Sequence, residues 1–180
     1  MKNNKHYKNS SFAIFMIPQL KSYLEKHNIS YKEHEHQAVF TVAESKKIKL
    51  SFTGLHTKSL FLKSSSKSGK KQVNYYLICL QADKRLDFKF LQKHLNEEKL
   101  TFTSPEELKS FLNVSPGSVS ILTLINPKSK SVKLIIDKDI YNADSVGFHP
   151  NINTSTLELT HENFLKFYNS LKQTKEVLEL

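Results

Sequence analysis

Between Ile17 and Leu171 the chain alternates two spacings of apolar residues, one helical and one of period two, and the switches between them mark the elements. Ile17, Leu20 and Leu24, with Tyr23, keep the helical period. Pro18 suits the first turn, where its missing N–H would have no intrahelical partner anyway. That helix is expected to end near His27-Asn28. Residues 31–36 then alternate, with Tyr31, Glu33 and Glu35 on one face and Lys32, His34 and His36 on the other. Residues 42–48 read as a short helix leading to a strand that carries Lys58. Residues 64–71 are polar and contain Gly69, so the flanking runs are expected to be antiparallel neighbours. Residues 73–80 are apolar on both faces, as a central strand is.

In the second half, Asp87 is placed to cap a helix carrying Phe88, Leu91 and Leu95, and residues 99–103 read as a short strand. Ser104-Pro105-Glu106-Glu107 is a strong helix start: Ser caps, Pro sits first, and Glu107 reaches back to complete a capping box. Leu108, Phe111 and Leu112 form its buried stripe. Residues 118–125 are apolar and β-rich, 126–130 a turn, and 131–137 another strand. Residues 154–159 alternate into a last helix capped by Thr160, with Phe164, Phe167, Tyr168 and Leu171 on one face. The polar stretch 1–10 reads as a tail, and the chain is expected to fray from Lys172, leaving one domain over 11–174 and a tail at 175–180. Strands and helices interleave without a regular βαβ rhythm, which argues for an α+β fold with a mixed, curved sheet.

With 180 residues and 38% hydrophobic content spread along its length, the chain has enough apolar material for one core. No run approaches membrane-spanning length; residues 11–18 (SFAIFMIP) are apolar but too short, and a cytoplasmic location is the expectation. The single cysteine, Cys79, sits in the run Tyr75-Tyr76-Leu77-Ile78-Cys79-Leu80 and reads as a buried, inert thiol. Net charge of +10 suggests an acidic partner. Arg85 is the sole arginine, so the excess is lysine in a chain also rich in asparagine, a pattern that an AT-rich genome produces as well. Clusters are therefore more telling than the total: Lys46, Lys47 and Lys49; Lys63, Lys67, Lys70 and Lys71; Lys128, Lys130 and Lys133. Each is either a polyanion contact or a solvated loop.

Two stretches carry candidate chemistry. Residues 147–153, Gly-Phe-His-Pro-Asn-Ile-Asn, read as a loop between strands in which Gly frees one φ and Pro fixes another, presenting backbone polar groups and His149. In residues 54–62, Lys58 shares a strand face with Leu60 and Leu62, either snorkelling from an edge or aimed into a pocket. His34 and His36 share a face, but no third metal ligand is near them in sequence. There is no phosphate-cradling glycine loop, dinucleotide fingerprint, zinc-spaced Cys pair or nucleophile elbow. No cofactor and no metal is expected, and any catalysis would rest on positioning and electrostatics.

Together these segments resemble the YbaK-like aminoacyl-tRNA deacylase superfamily, and within it the prolyl-tRNA editing proteins of the alanyl-tRNA(Pro) deacylase, or prolyl-tRNA synthetase associated domain, branch. The resemblance rests on Gly54 with His56-Thr57-Lys58-Ser59-Leu60-Phe61-Leu62, on Leu100-Thr101-Phe102 with Ser104-Pro105-Glu106-Glu107-Leu108, on Val114-Ser115-Pro116-Gly117-Ser118-Val119, and on Val146-Gly147-Phe148-His149-Pro150-Asn151 with Asn153-Thr154. These pieces follow the family's order; one departure is Ser59, where the family usually has Asn. The resemblance implies a barrel-like mixed sheet surrounded by helices, and hydrolysis of the ester joining alanine to tRNA(Pro). It also implies Lys58 as the principal functional lysine, on a phosphate or the ester oxygen. His149 would act as base or orienting group, and His56, Ser59, Gly147, Phe148, Pro150 and Asn151 would line the substrate pocket, with Phe148 or a neighbour limiting side-chain size. Lys46, Lys47, Lys63, Lys67, Lys70 and Lys71 become candidate tRNA contacts. A monomer working with tRNA(Pro), in company with prolyl-tRNA synthetase, is the implied setting. The alternatives are a deacylase for cysteine, serine or 2-aminobutyrate on tRNA, and a catalytically silent tRNA-binding or synthetase-associated module.

Overall fold

The computed structural model describes residues 18–38, 53–64 and 73–180. The expected 42–48 helix and Lys46, Lys47, Lys49, Lys67, Lys70 and Lys71 lie outside them. The architecture is organised around β2 (Leu55–Ser64), which has different partners at its two ends. Along Thr57–Lys63 it pairs antiparallel with β3 (Tyr75–Gln81), as the intervening polar loop predicts. On its other edge it starts parallel to β6 (Ser145–Phe148), with Leu55 beside Val146 and His56 beside Gly147. It ends antiparallel to β4 (Leu100–Phe102), with Leu62 opposite Phe102. With β1 (Lys32–Glu35), β5 (Val132–Asp137), β7 (Ser155–Thr160) and β8 (Lys175–Leu178) the order is β1-β7-β6-β2-β3-β5-β8, β4 branching from β2. The expected mixed sheet with helices around it is what forms. It is open, with β1 and β8 at the ends of the path.

β3 lies between β2 and β5 and is buried from Tyr76 to Leu80, because the sheet has a core on each face. One core holds Phe61, Leu77, Cys79, Phe148 and Leu157 against α1 (Pro18–Lys26), the short α4 (Lys138–Asn142) and α5 (His161–Ser170). The other holds Leu62, Ile78, Leu80 and Ile135 beneath Leu91 of α2 (Phe88–Leu95). Each such side chain removed from water contributes roughly 1.5–3 kcal/mol. The thiol of Cys79 has no exposure and its pKa is pushed up to about 12, chiefly by burial, so it is inert as expected.

Local signals set the helix ends. Asp87 Oδ1 accepts from the N–H groups of Lys89 and Phe90 at 2.9 and 3.0 Å, and Asn96 closes α2 in the left-handed region at φ 54°. In α3 (Pro105–Leu112) the Glu107 N–H donates to Ser104 Oγ at 3.2 Å while the Ser104 N–H donates to Glu107 Oε2 at 2.7 Å, completing the capping box. Thr160 caps α5.

Three expectations change. Residues 118–125 are not a strand: Ile121–Ile125 is a 3₁₀ helix, followed by a second at Pro127–Ser131. Ser120 Oγ accepts from the Leu122 N–H and Thr123 Oγ1 donates to the Ser120 carbonyl, local bonds that hold the backbone in a turn despite its β-prone side chains. Residues 175–180 are not a frayed tail. Lys175–Leu178 pair parallel with β5, and Lys175 Nζ donates to the Tyr168 and Leu171 carbonyls at 2.9 Å each. Finally, Gly147 and Phe148 belong to β6, so the loop begins only at His149.

Candidate active site

The alternation of β2 puts His56, Lys58, Leu60 and Leu62 on one face and Leu55, Thr57, Ser59 and Phe61 on the other. Packing agrees, since Leu60 and Leu62 join the α2 core while Leu55 and Phe61 join the opposite one. Register carries the Lys58 face across the sheet: Gly147 stands beside His56, Glu158 beside Gly147, and His34 beside Thr156. Val146 and Phe148 point into the α5 core, so Gly147 faces the other way. His149 continues that alternation, its ring 5.7 Å from that of His36. Gly147 thus lies between His56 and Lys58 on one side and His149, His36, Thr156 and Glu158 on the other, a candidate site on one sheet face.

Gly147 serves this site by lacking a side chain. It is not among the positive-φ residues, of which Gly117 is the only glycine described, so the φ freedom read from sequence is not what is used. It is buried, and it places no side chain between those of His56 and Glu158, its neighbours in the register. Its carbonyl accepts a 2.7 Å bond from Thr57 Oγ1, which ties the β2–β6 junction from behind.

Lys58 is half-buried, and its ammonium is held by a loop rather than left to snorkel. Nζ donates to the Ala82 carbonyl at 2.8 Å and to the Lys84 carbonyl. An ammonium has three N–H donors, so one direction is left for an incoming oxygen. Burial lowers the Lys58 pKa from its usual 10.5, and the neighbouring Asp83 works against that shift while Arg85 adds to it. The loop is itself anchored: Lys84 Nζ lies 2.8 Å from Asp137 Oδ2 and 2.8 Å from Asp139 Oδ2.

His149 Nδ1 lies 2.9 Å from the Ser155 carbonyl. A carbonyl only accepts, so Nδ1 carries the proton and Nε2 of the neutral ring is an acceptor. Burial pushes its pKa below the ordinary 6.5, the Ser155 carbonyl opposes that, and His36 adds to it, so the neutral form is favoured. His56 is likewise lowered by burial, against the pull of Asp83. His34 Nε2 pairs with Glu158 Oε2 at 2.8 Å, and His36 Nε2 lies 3.0 Å from Thr156 Oγ1. Among the described residues no three His, Cys, Asp or Glu side chains are grouped to hold a metal ion.

Lys58, His56, Gly147 and His149 are thus brought together, and the other sequence candidates are not. Ser59 points to the opposite face, its Oγ 3.2 Å from Cys79 Sγ, so its side chain packs against the core. Phe148 is 2% exposed and stacks on Phe164, so its ring packs in the core on the face away from Lys58. Pro150 is buried. Asn151, at φ 65°, lines a separate cavity of about 280 Å³ with Gln19, Asn113, Thr123 and Asn126. Lys63 is bound to Glu107 at 2.8 Å on the face away from Lys58. Sequence reasoning missed Thr156, Glu158 and the Ala82–Lys84 loop. Thr156 and Glu158 were legible as alternate positions of a strand, but only β1–β7–β6 register shows which face they share with Gly147.

Comparison with known proteins places this geometry. Residues 36–167 match the model of the aminoacyl-tRNA editing domain. The chain is 30% identical over 157 residues to the prolyl-tRNA editing protein ProX of Acetoanaerobium sticklandii, covering 87% of this chain and 93% of that protein. It is 28% identical over 162 residues to the prolyl-tRNA synthetase associated domain-containing protein 1 of Danio rerio, covering 89% and 85%. A crystal structure of a proposed trans-editing enzyme for prolyl-tRNA synthetase superposes with a TM-score of 0.65 at 18% identity, over 92% of this chain and 98% of that one. That likeness speaks for the fold, while the sequence match carries the family assignment: the chain belongs to the aminoacyl-tRNA editing domain family.

Proposed function

We propose that the protein is a trans-acting deacylase of mischarged tRNA(Pro), with alanine as the amino acid it removes. The observation that carries the reading is the meeting, on one sheet face over Gly147, of a donor with one N–H to spare, Lys58, and an acceptor with a fixed tautomer, His149 Nε2. As an editing-family enzyme the protein is a hydrolase of aminoacyl-tRNA. A water adds to the ester carbonyl carbon, the bond to the ribose oxygen breaks, and a proton passes to that oxygen, releasing the amino acid and free tRNA. The ester is already activated, so alignment of water and carbonyl is the main requirement. In this arrangement Lys58 donates to the oxygen on which negative charge develops, held in line by two carbonyls. His149 Nε2 accepts a hydrogen bond from the attacking water or from the ribose hydroxyl that orients it.

Editing of this kind answers a physical limit. One methylene is worth only about 1–3 kcal/mol to a binding pocket, so a site built for proline admits alanine too often. Size exclusion here falls to the walls over Gly147, His149 among them, because Phe148 faces the core. The Ser-for-Asn departure at position 59 gives no reason to expect a silent module, since that side chain lies across the sheet from Lys58. The names of the relatives favour prolyl-tRNA synthetase as the neighbour in whose company the reaction occurs.

The test is incubation with Ala-tRNA(Pro), Cys-tRNA(Pro) and Pro-tRNA(Pro), with Lys58→Ala beside the wild type. Alanine is expected to be released fastest and proline spared. Lys58→Ala should lose about 100-fold or more in single-turnover rate, the scale of one oxyanion donor, with an unchanged circular dichroism spectrum. Rapid release of proline, or wild-type turnover by the variant, removes the assignment.

A further inference from the structure

The Lys58 face does not end at Lys58. Leu60 and Leu62 continue the row, and β4 sets Phe102 directly across from Leu62 on the same face. Phe102 is 60% exposed, an unusual setting for an aromatic ring on a sheet. Phe88 backs it, with centroids 6.0 Å apart in an edge-to-face arrangement, and Phe88 is itself packed on the α2 core. The ring is therefore held against Phe88 while more than half of its surface is open. Four residues of strand separate Leu62 from Lys58, roughly 13 Å at the usual rise.

The edge of β2 between these two points is also distinctive. β6 pairs with it only at Leu55 and His56, and β4 only from Leu62 to Ser64. The Phe61 carbonyl is taken by the Thr103 N–H at 3.2 Å. Among the described residues no strand pairs with Thr57 to Leu60 on that edge. Pairing with β3 uses the backbone of His56 and Ser64, as the Ala82 N–H to His56 carbonyl and Ser64 N–H to Asn74 carbonyl bonds show. Alternation turns the backbone of Thr57 and Ser59 to that edge, where the parallel ladder at His56 and Gly147 takes the Thr57 N–H and leaves the Thr57 C=O and the Ser59 N–H and C=O toward the gap. A notch of backbone polarity thus runs from Gly147 to an exposed aromatic ring. Along residues 83–99, which carry Phe88 and lead into β4, the exposed charges are mixed, Arg85, Lys89, Lys93 and Lys99 against Asp83, Asp87 and Glu98, so stacking rather than net charge is what the ring offers.

We infer that Phe102, backed by Phe88, is a stacking platform for a nucleobase of the single-stranded 3′ end of the tRNA, which runs along the stretch of the β2 edge that no described strand covers, with its acylated terminus over Gly147. The inference rests on the reading of the site as an aminoacyl-tRNA hydrolase. A base on an aromatic ring suits this position because every base has a π-face, and a hydrolase acting on one linkage needs no base identity there. Such a platform positions the chain without touching the reacting atoms.

Equilibrium binding separates this inference from the catalytic one, because it needs no turnover. Uncharged tRNA(Pro) and the same tRNA shortened by its single-stranded 3′ nucleotides are titrated against wild type, Phe102→Ala and Phe102→Trp. Phe102→Ala should weaken binding of the full tRNA by about ten- to a hundredfold, the worth of one base–aromatic stack, and leave the shortened tRNA unaffected. Phe102→Trp should keep wild-type affinity. The loss should be equal at two salt concentrations, since no phosphate contact is removed. Equal loss on both tRNAs, or no loss on either, overturns the platform and leaves Phe102 as a surface for a protein partner. A wild type that binds the platform-dependent way yet releases no amino acid would instead refute the hydrolase reading.

Discussion

Lys84→Met tests whether Lys58 is aimed by its loop. The Asp137 side chain has no exposure, and its carboxylate is held by Lys84 Nζ at 2.8 Å and by the Asp139 N–H at 3.3 Å. Removing the ammonium leaves a buried carboxylate facing a thioether. Breaking a buried ion pair from one side costs about 3–5 kcal/mol, and Lys84 keeps 28% exposure, so the lower end, about 3 kcal/mol, is the expectation. A domain of ordinary stability, roughly 5–15 kcal/mol, still folds after such a loss. The Lys84 carbonyl is one of the two acceptors for Lys58 Nζ, so slackening the loop mis-aims the Lys58 ammonium. Displacement on the ångström scale lowers the single-turnover rate by about ten- to a hundredfold. Urea unfolding gives the first quantity and deacylation of Ala-tRNA(Pro) below the transition gives the second. Adding Asp137→Asn should restore much of the stability, because no unpaired charge then remains buried, while the rate stays low. A stability loss under about 1 kcal/mol would make the pair equivalent to a surface one. A full stability loss with a wild-type rate would show that the loop does not aim Lys58.

Three other outcomes are expected, two from the same geometry and one from the lysine clusters of the sequence. Burial places the His149 pKa below 6.5, so the folded protein binds that proton less readily than the unfolded chain; its contribution to stability is complete above about pH 6.5 and falls as pH drops toward the folded value. The deacylation rate should hold down to that pH and decline only below it, and His149→Ala should lower the rate or relax alanine–proline discrimination, as a pH series on both proteins would register. Gly147→Ala adds a methyl between His56 and Glu158 and should cost at least tenfold in kcat/KM while the unfolding midpoint moves little; an active variant would show that substrate does not approach the sheet there. Changing Lys67, Lys70 and Lys71 together to Ser should weaken tRNA(Pro) binding and flatten its salt dependence by about 0.7–0.9 for each phosphate that is no longer neutralised, whereas an unchanged slope would mean these lysines never meet the backbone.

What the sequence discloses and what it hides divides along a physical line. Elements set by local chemistry were legible: the Ser104–Glu107 capping box, the Asp87 cap and the doubly buried β3 follow from a few adjacent residues. The errors have two sources, local side-chain bonds that override β propensity and a strand partner distant in sequence. Residues 118–125 look β-prone, but Ser120 and Thr123 turn them by bonding their own backbone. Lys175–Leu178 is an undistinguished tail until β5 offers an edge to pair with. For the site, Gly147 and His149 were recognisable as a motif and Phe148 between them was not separable, because the motif gives adjacency and the sheet gives facing. The same parity rule decides the neighbouring motif: it sends Lys58 to the site and Ser59 to Cys79, one residue apart. A substitution at position 59 therefore reaches the chemistry only through packing behind the sheet, whereas one at Leu60 lies on the notch itself. Of the even positions of β2, His56 and Lys58 flank Gly147 while Leu60 and Leu62 pack in the α2 core, and the odd ones face the other way. That division follows from strand geometry alone and extends to Phe102, whose register with Leu62 brings it onto the working face.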